Sequence, residues 1–364
     1  MTKNITKKIV LFFLESIILF TIFAPSNNFL IYTIMKKMYI TMLSAFLSMF
    51  LFLGCSDDDL IPGRATISSS DSLALQNVYD SLLSYRYRWD TDNGIYKRWW
   101  VSPAGVNFET NTVDNTIMVT GIVYDDNMIW GGADKHDGKP HITNSLFALK
   151  DLHKLEIKGY WNLEGNLSGI SNLSNLDTLI IHNLSTSSVF PEELTRCANL
   201  KYLELINCRF NGRLPESIGN LTSLDTLRIE ETDMDGELPE SIGNLTSLRT
   251  LDLHNNNFSG NIPQCLSKLT NAEHIALAKN HFSGIFPINV LHPNCFFECH
   301  ENDIESIDFS VWKDDSDIMP PYLCQNKLTG EIPTWVFSTQ KWHQYYHYVN
   351  NQQSGYGYSN YRNY

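Results

Sequence analysis

The sequence predicts a solenoid: a right-handed α/β-type superhelix of stacked coils, with a short parallel sheet on the concave side and mostly irregular turn structure on the convex side. Three observations predict it. Leu155, Leu179, Leu203, Leu227, Leu251 and Ile275 recur at one constant stride, as do Ile157, Ile181, Leu205, Ile229, Leu253 and Leu277. Pro191, Pro215, Pro239, Pro263 and Pro287 keep the same interval. The segment LPESIGNLTSL occurs twice, at 214–224 and 238–248. A fixed period of this length marks repeats that bury their apolar faces only by stacking on one another.

Each part of the repeat has a physical reason. In Leu251-Asp252-Leu253 the leucines point inward and Asp252 outward, the alternation of a strand too short to close a core alone. Asn256 and Asn280 stand where a buried amide can satisfy the backbone of adjoining coils as the chain leaves the strand. Phe210, Met234, Phe258 and Phe282 form a second apolar column. Gly212, Gly236, Gly260 and Gly284 follow, where the turn calls for positive φ or close approach. Leu214-Pro215, Leu238-Pro239 and Ile262-Pro263 then return along the convex side.

The order L-x-x-N-x-F-x-G-x-[IL]-P resembles the plant-specific class of leucine-rich repeats, which also occurs in bacterial surface proteins. The resemblance covers about 119–338 and is most specific over 179–290. It implies a leucine-rich-repeat solenoid with an N-terminal helical cap. Tyr160, Leu184, Cys208 and Thr232 replace the asparagine, so those early coils are expected to be less regular.

The flanks divide the rest. An apolar-periodic run from Asp71 to Leu83 reads as a short helix with Asp71 or Ser70 as N-cap. With Trp89, Trp99, Trp100 and Gly105-Val106 it resembles the N-terminal cap of such arrays and defines 71–118. Val119 to Tyr124 starts the first coil. The step from Ile122 to Leu155 exceeds the regular stride, so that coil carries an insertion, placed at 133–141. Phe297, Cys299, Asn302 and Ile304 form a degenerate coil, and Leu323, Asn326, Leu328, Gly330, Ile332 and Pro333 a cleaner last one. Residues 339–364, with Trp342, Tyr345, Tyr346 and Tyr348, form a C-terminal cap and Tyr-rich tail; the alternative is an aromatic binding tail.

Residues 1–54 read as a signal or pre-sequence. The apolar run at about 39–53 follows Met35-Lys36-Lys37-Met38 and ends in Phe52-Leu53-Gly54-Cys55. That pattern resembles a bacterial lipoprotein signal, which makes Cys55 the lipid-modified first mature residue and 55–70 a lipid-anchored linker. The acidic run Ser56-Asp57-Asp58-Asp59 resembles the surface-export signal of certain Gram-negative lipoproteins. The resemblance implies a protein lipid-anchored in the outer membrane and facing the exterior. The true start is expected at Met35 or Met38, since Glu15 interrupts the first apolar run. Five Lys and one Glu lie in residues 1–54, so their removal takes the formal charge from −13 to −17. Such an acidic surface disfavours nucleic acid as a partner, because phosphate binding needs a basic stripe.

Catalysis finds no support: no G-x-S-x-G elbow, H-E-x-x-H, P-loop or dinucleotide fingerprint is present. No cofactor is expected, and no histidine spacing suggests a metal site with carboxylates. Cys295, Cys299, His300 and Cys324 admit three readings: core filling, a Cys295–Cys324 disulfide, or a metal site lacking an obvious fourth ligand. Cys197 and Cys208 fall at inward positions and read as apolar filling. Asp314-Asp315-Ser316-Asp317 reads as a solvated loop.

What remains is the outward side of the strands. Side chains there have no core to fill and are free for recognition. The ligand-binding candidates are His182, Tyr202, Glu204, Arg228, Glu230, Asp252, His254 and His274. The expected function is a non-enzymatic surface lipoprotein whose concave face binds a macromolecule, by preference a protein. The alternative is a glycan-binding accessory protein of a nutrient-uptake system.

Overall fold

Each coil begins where two inward apolar residues flank an outward one, as in Leu251-Asp252-Leu253. In the computed structural model, which describes residues 66–67, 69–82, 106–110, 116–125, 141–158, 163–311, 319–336 and 352–357, those segments are strands. Residues 1–65, the tryptophans at 89, 99 and 100, most of 133–141, Tyr160, Asp314 to Asp317, and Trp342 to Tyr348 lie outside the described residues. The expectations about export, Cys55 lipidation and the aromatic tail therefore rest on sequence.

The fold is a leucine-rich-repeat solenoid. Lys154–Lys158, Thr178–His182, Tyr202–Ile206, Thr226–Glu230, Thr250–Asp252, His274–Ala276 and Phe296–Glu298 line up as neighbours in one parallel sheet. Register follows the repeat without a slip: Leu179 faces Leu203, Leu203 faces Leu227, and Leu251 faces Ile275. All six members of the first leucine column are fully buried. Upstream, Thr116–Asp125 places Ile122 opposite Leu155 and Tyr124 opposite Ile157, as the first-coil alignment expects. It also carries Val106–Thr110 antiparallel and Thr66–Ile67 parallel along its length. The helix Ser69–Leu82 contributes Ala74, Leu75 and Val78 to the core, and Asn77 donates to Ser145 Oγ at 3.2 Å.

Many coils add a second short strand after the inward aromatic column. A second parallel sheet, of six strands among the described residues, runs through Ser188–Val189, Phe210–Gly212, Asp233–Gly236, Asn257–Asn261, His281–Phe286 and Asp303–Ile307. This second sheet accompanies the short parallel sheet that the sequence predicts and is not itself anticipated by the sequence reading. The cause is the step from inward Phe to the following Gly, which keeps strand alternation through the turn. Phe258 and Phe282 stack there with ring centroids 6.5 Å apart. Each proline then precedes a one-turn 3₁₀ segment, such as Glu216–Asn220 and Glu240–Asn244. These segments pack so closely that a Cβ on Gly243 would lie 2.6 Å from the Cys265 carbonyl oxygen.

An asparagine ladder ties the coils together. The Asn280 side-chain amide donates to the carbonyls of Leu253, Leu277 and Ala278, while its oxygen accepts from Phe258 N–H at 3.0 Å. Asn302 and Asn326 make the same set one and two coils on, while Asn256, one coil back, donates to the Ile229, Leu253 and His254 carbonyls and accepts from Thr232 N–H. The ladder continues into the C-terminal segment. Gln352 Oε1 accepts from Leu328 N–H at 3.3 Å and its amide donates to Leu323 O at 3.1 Å, the two inter-coil bonds of a further rung. Where Cys208 replaces the asparagine, its thiol contacts the Ile181 carbonyl at 3.4 Å. Among the described residues the early coils keep register in the long sheet, and the second sheet is shortest there, at Ser188–Val189 and Phe210–Gly212.

Before each rung sits a residue with positive φ. Asn183, Asn207, Glu231, Asn255, Lys279, Glu301 and Gln325 form this column. Asparagine tolerates that left-handed conformation, whereas Glu231 and Lys279 hold it under strain.

Cys295 and Cys324 do not pair; the six described cysteines are free and buried. Cys295 precedes the strand Phe296–Glu298, while Cys324 follows Tyr322, which bridges Glu298 on the next coil. The two sulfurs thus belong to different positions around the coil. Burial pushes Cys197 up to about 11, Cys208 up to about 12, and Cys299 further still. Core filling is the reading that the structure supports for them.

Candidate functional site

The repeat stride places Glu204, Arg228 and Asp252 side by side across three adjacent strands. Arg228 is the centre. Its Nε donates to Glu230 Oε1 at 2.6 Å, Nη1 lies 3.7 Å from Glu204 Oε2, and Nη2 lies 3.9 Å from Asp252 Oδ2. On one flank, Tyr202 donates its hydroxyl to Glu204 Oε2 at 2.7 Å, and His182 Nε2 meets Glu204 Oε1 at 2.6 Å. On the other, His254 Nδ1 meets Asp252 Oδ1 at 2.8 Å and lies 3.7 Å from Glu230 Oε2.

Seven of the eight sequence-derived candidates therefore form one network: His182, Tyr202, Glu204, Arg228, Glu230, Asp252 and His254. Their roles differ from the expectation of a freely exposed face. Glu204, Glu230 and Asp252 are only 5–6% exposed, buried beneath their partners. The side chains that reach solvent are Arg228 and His254, about one-third exposed, His182, about one-fifth, and the half-buried Tyr202. A carboxylate on a strand only about 4.8 Å from its neighbours is covered by their longer side chains, which no single-strand reading captures.

The electrostatics follow from this layering. Burial alone would raise the Glu204 carboxyl, but hydrogen bonds from His182 and Tyr202 and the nearby charges of His182 and Arg228 outweigh it and hold it at about 2. Tyr202 is pushed up to about 12 by burial and by the Glu204 carboxylate. Burial and the Asp252 charge push Glu230 above the usual carboxylate value. Burial opposes ionisation of Asp252 as well, but its contacts with His254 keep it below. His254 is raised by its hydrogen bond to Asp252. The Arg228 guanidinium stays charged throughout, since burial is more than offset by Glu230 and the other two acids.

His274 stands apart. Its Nε2 meets Glu298 Oε1 at 3.1 Å, and its ring stacks on Phe296 at 5.8 Å. Beyond it His300 packs on Tyr322 at 4.8 Å. Ala276 lies between Asp252 and Glu298 in register, so the two polar clusters are separated by a low alanine strip. Glu298, Phe296, His300 and Tyr322 were not among the sequence candidates. The signal existed in the inward Phe297 and Cys299, whose neighbours must face outward. This coil is shorter than those before it, however, with Phe297 opposite Ile275, and that hides the alignment. At the other end Lys154 and Lys158 both pair with Glu156 at 2.8 Å.

The expectation that no histidine spacing brings metal-type donors together also needs correction. Ligand atoms of Glu230, Asp252 and His254 lie within 4.8 Å of one another. Glu230 and Asp252 are separated by one coil less one strand alternation, a relation invisible as a local motif.

A family model described as a leucine-rich repeat region matches residues 187–284. No curated protein matches the chain. Among solved structures, the PEPR1–AtPEP1 structure is 20% identical, with a TM-score of 0.52, over 75% of this chain and 41% of that one. A plant ice-binding protein is 17% identical, with a TM-score of 0.51, over 73% of this chain and 82% of that one. The ectodomain of the Arabidopsis thaliana receptor kinase GASSHO1/SCHENGEN3, solved with CASPARIAN STRIP INTEGRITY FACTOR 2, is 29% identical, with a TM-score of 0.48, over 55% of this chain and 24% of that one. The chain thus spans less than half the length of the first and third of these structures.

Proposed function

We propose that this protein is a non-enzymatic lipoprotein, anchored through Cys55 in an outer membrane and facing outward, that binds a protein ligand on the solvent face of its long sheet. The observation that carries the binding reading is the anchored layer at Tyr202, Arg228 and His254. Each of these side chains is held from below by a buried carboxylate at 2.6–2.8 Å, so its position is set before any ligand arrives. Preorganised groups of this kind lose less entropy on binding than free surface chains. Tyr and Arg are also the residue types that most often dominate protein interfaces.

Affinity capture with the immobilised protein, read by mass spectrometry, tests the reading. A protein captured by the wild type, lost on Arg228→Glu or Tyr202→Ala and kept when residues 358–364 are removed, supports it. A glycan bound instead, and lost on Trp342→Ala, overturns it in favour of a sugar-binding accessory role. Anchoring has its own readout: Cys55→Ser is expected to leave the protein unprocessed or released from membranes. Resistance of the wild type to protease on intact cells would contradict outward display.

A further inference from the structure

We propose that Glu230, Asp252 and His254 form a binding site for one divalent transition-metal ion of the Zn2+ or Mn2+ class. The site stands independently of the identity of any protein ligand.

The first ground is convergence. One ligand atom from each residue lies within 4.8 Å of the other two. A zinc ion sits about 2.0–2.2 Å from oxygen and nitrogen ligands. Around such an ion the ligand atoms stand roughly 3–3.5 Å apart, so His254 Nδ1 and Asp252 Oδ1, 2.8 Å apart, move slightly away from each other and Glu230 Oε2, 3.7 Å from His254 Nδ1, moves slightly nearer, as side-chain rotation allows.

The second is how the oxygens are divided. Arg228 engages Glu230 Oε1 at 2.6 Å and approaches Asp252 Oδ2 at 3.9 Å. The other oxygen of each carboxylate turns the opposite way, toward His254 Nδ1, at 3.7 Å from Glu230 Oε2 and 2.8 Å from Asp252 Oδ1. Guanidinium and cation would thus use different atoms of the same two carboxylates. Two such anchored oxygens also match the pattern in which outer partners orient metal ligands.

The third is charge. Among the described residues, three carboxylates, Glu204, Glu230 and Asp252, share a single permanent cation, Arg228. A divalent ion at the His254 side neutralises the excess of two. The donor set then sets the metal class. Two carboxylate oxygens with one imidazole nitrogen suit zinc or manganese, whereas calcium and magnesium prefer oxygen alone.

The fourth is access. The His254 side chain is one-third exposed, and Asp252 has Ala276 beside it on the next strand. The two carboxylates are themselves only 5–6% exposed, so an ion reaches them from the His254 side, beside the short Ala276. The ion's remaining coordination positions would face the solvent side of the sheet, where a ligand or water can fill them.

Isothermal titration of Zn2+ into chelator-stripped protein tests the site, with Co2+ absorption as the spectroscopic readout. One ion is expected to bind, with cobalt bands of nitrogen and oxygen ligation. His254→Gln and Asp252→Asn are each expected to weaken it by roughly 10–100-fold or more, while His281→Gln, at the separate His281–Asp303 pair, leaves it unchanged. His254→Gln removes a part-exposed ring and keeps the fold, which circular dichroism verifies, so a folding defect in Asp252→Asn does not cloud the result. Absence of Zn2+ binding at millimolar concentration overturns the proposal. So does binding that survives both variants, or a sulfur-to-cobalt charge-transfer band that assigns the metal to cysteine.

Discussion

Replacing Asn302 by Ala removes one interior rung of the ladder, and its cost can be worked from the bonds it makes. The side chain is 1% exposed. Its amide donates to Leu277 O, Cys299 O and His300 O at 3.0–3.3 Å. All three carbonyls keep another donor: Asn280 for Leu277, Asn326 for Cys299, and the Lys279 N–H for His300. Phe282 N–H, which donates to Asn302 Oδ1 at 2.9 Å, loses the acceptor facing it in a dry environment. One buried unpaired donor costs about 1–3 kcal/mol, and each lost hydrogen bond to a still-paired carbonyl adds a smaller increment, for a total of about 2–4 kcal/mol. Thermal melting is expected to fall by about 5–10 °C. Hydrogen exchange should rise in the strands His274–Ala276 and His281–Phe286 and leave Thr178–His182 unaffected, because coils couple only to neighbours. A variant that melts with the wild type, or that loosens all coils equally, would refute the rung as the unit of cohesion.

Further predictions follow from other features. Glu231→Gly relieves a non-glycine residue at φ 55° and should stabilise the protein by roughly 0.5–1 kcal/mol, measured by urea unfolding. Gly243→Ala should destabilise it by about 1–3 kcal/mol, since the added methyl meets the Cys265 carbonyl with no room to move. Gln352→Ala removes a rung at an end that water can reach, so its cost should be about 1 kcal/mol and below that of Asn302→Ala. Glu204 is ionised more readily in the folded state than in the unfolded chain. Its contribution is therefore present above the ordinary value of 4.5 and is lost as pH falls from there toward about 2; acid titration of Glu204→Gln should lack that part of the transition.

The inward columns were legible because a coil cannot fold without them: leucines repeating at so constant a stride have no other use. The phenylalanine and glycine columns were legible for the same reason, and Gly284 does take φ +73°. The second sheet was not, because its strands are short and their alternation looks like a turn. On the solvent face, residue types pointed to the strands that carry the polar network, yet the burial of Glu230 and Asp252 depends on what the neighbouring coil places beside them. Arg228 covers Glu230 from its own strand and reaches Asp252 on the next, a relation set by stacking rather than by local order. The left-handed column went unread: asparagine stands there at 183, 207 and 255, but Glu231 and Lys279 take its place elsewhere and break the pattern.

Gln352 covers the last described coil. A stack of identical coils has no intrinsic length, since its last member presents the same unanswered amide and carbonyl as every one before it. By supplying a longer carboxamide from 352–357, which form no strand, the chain answers those groups at the last described coil. Truncation before Gln352 would leave a templating end, and the first consequence to look for is self-association head to tail, seen as concentration-dependent mass in solution.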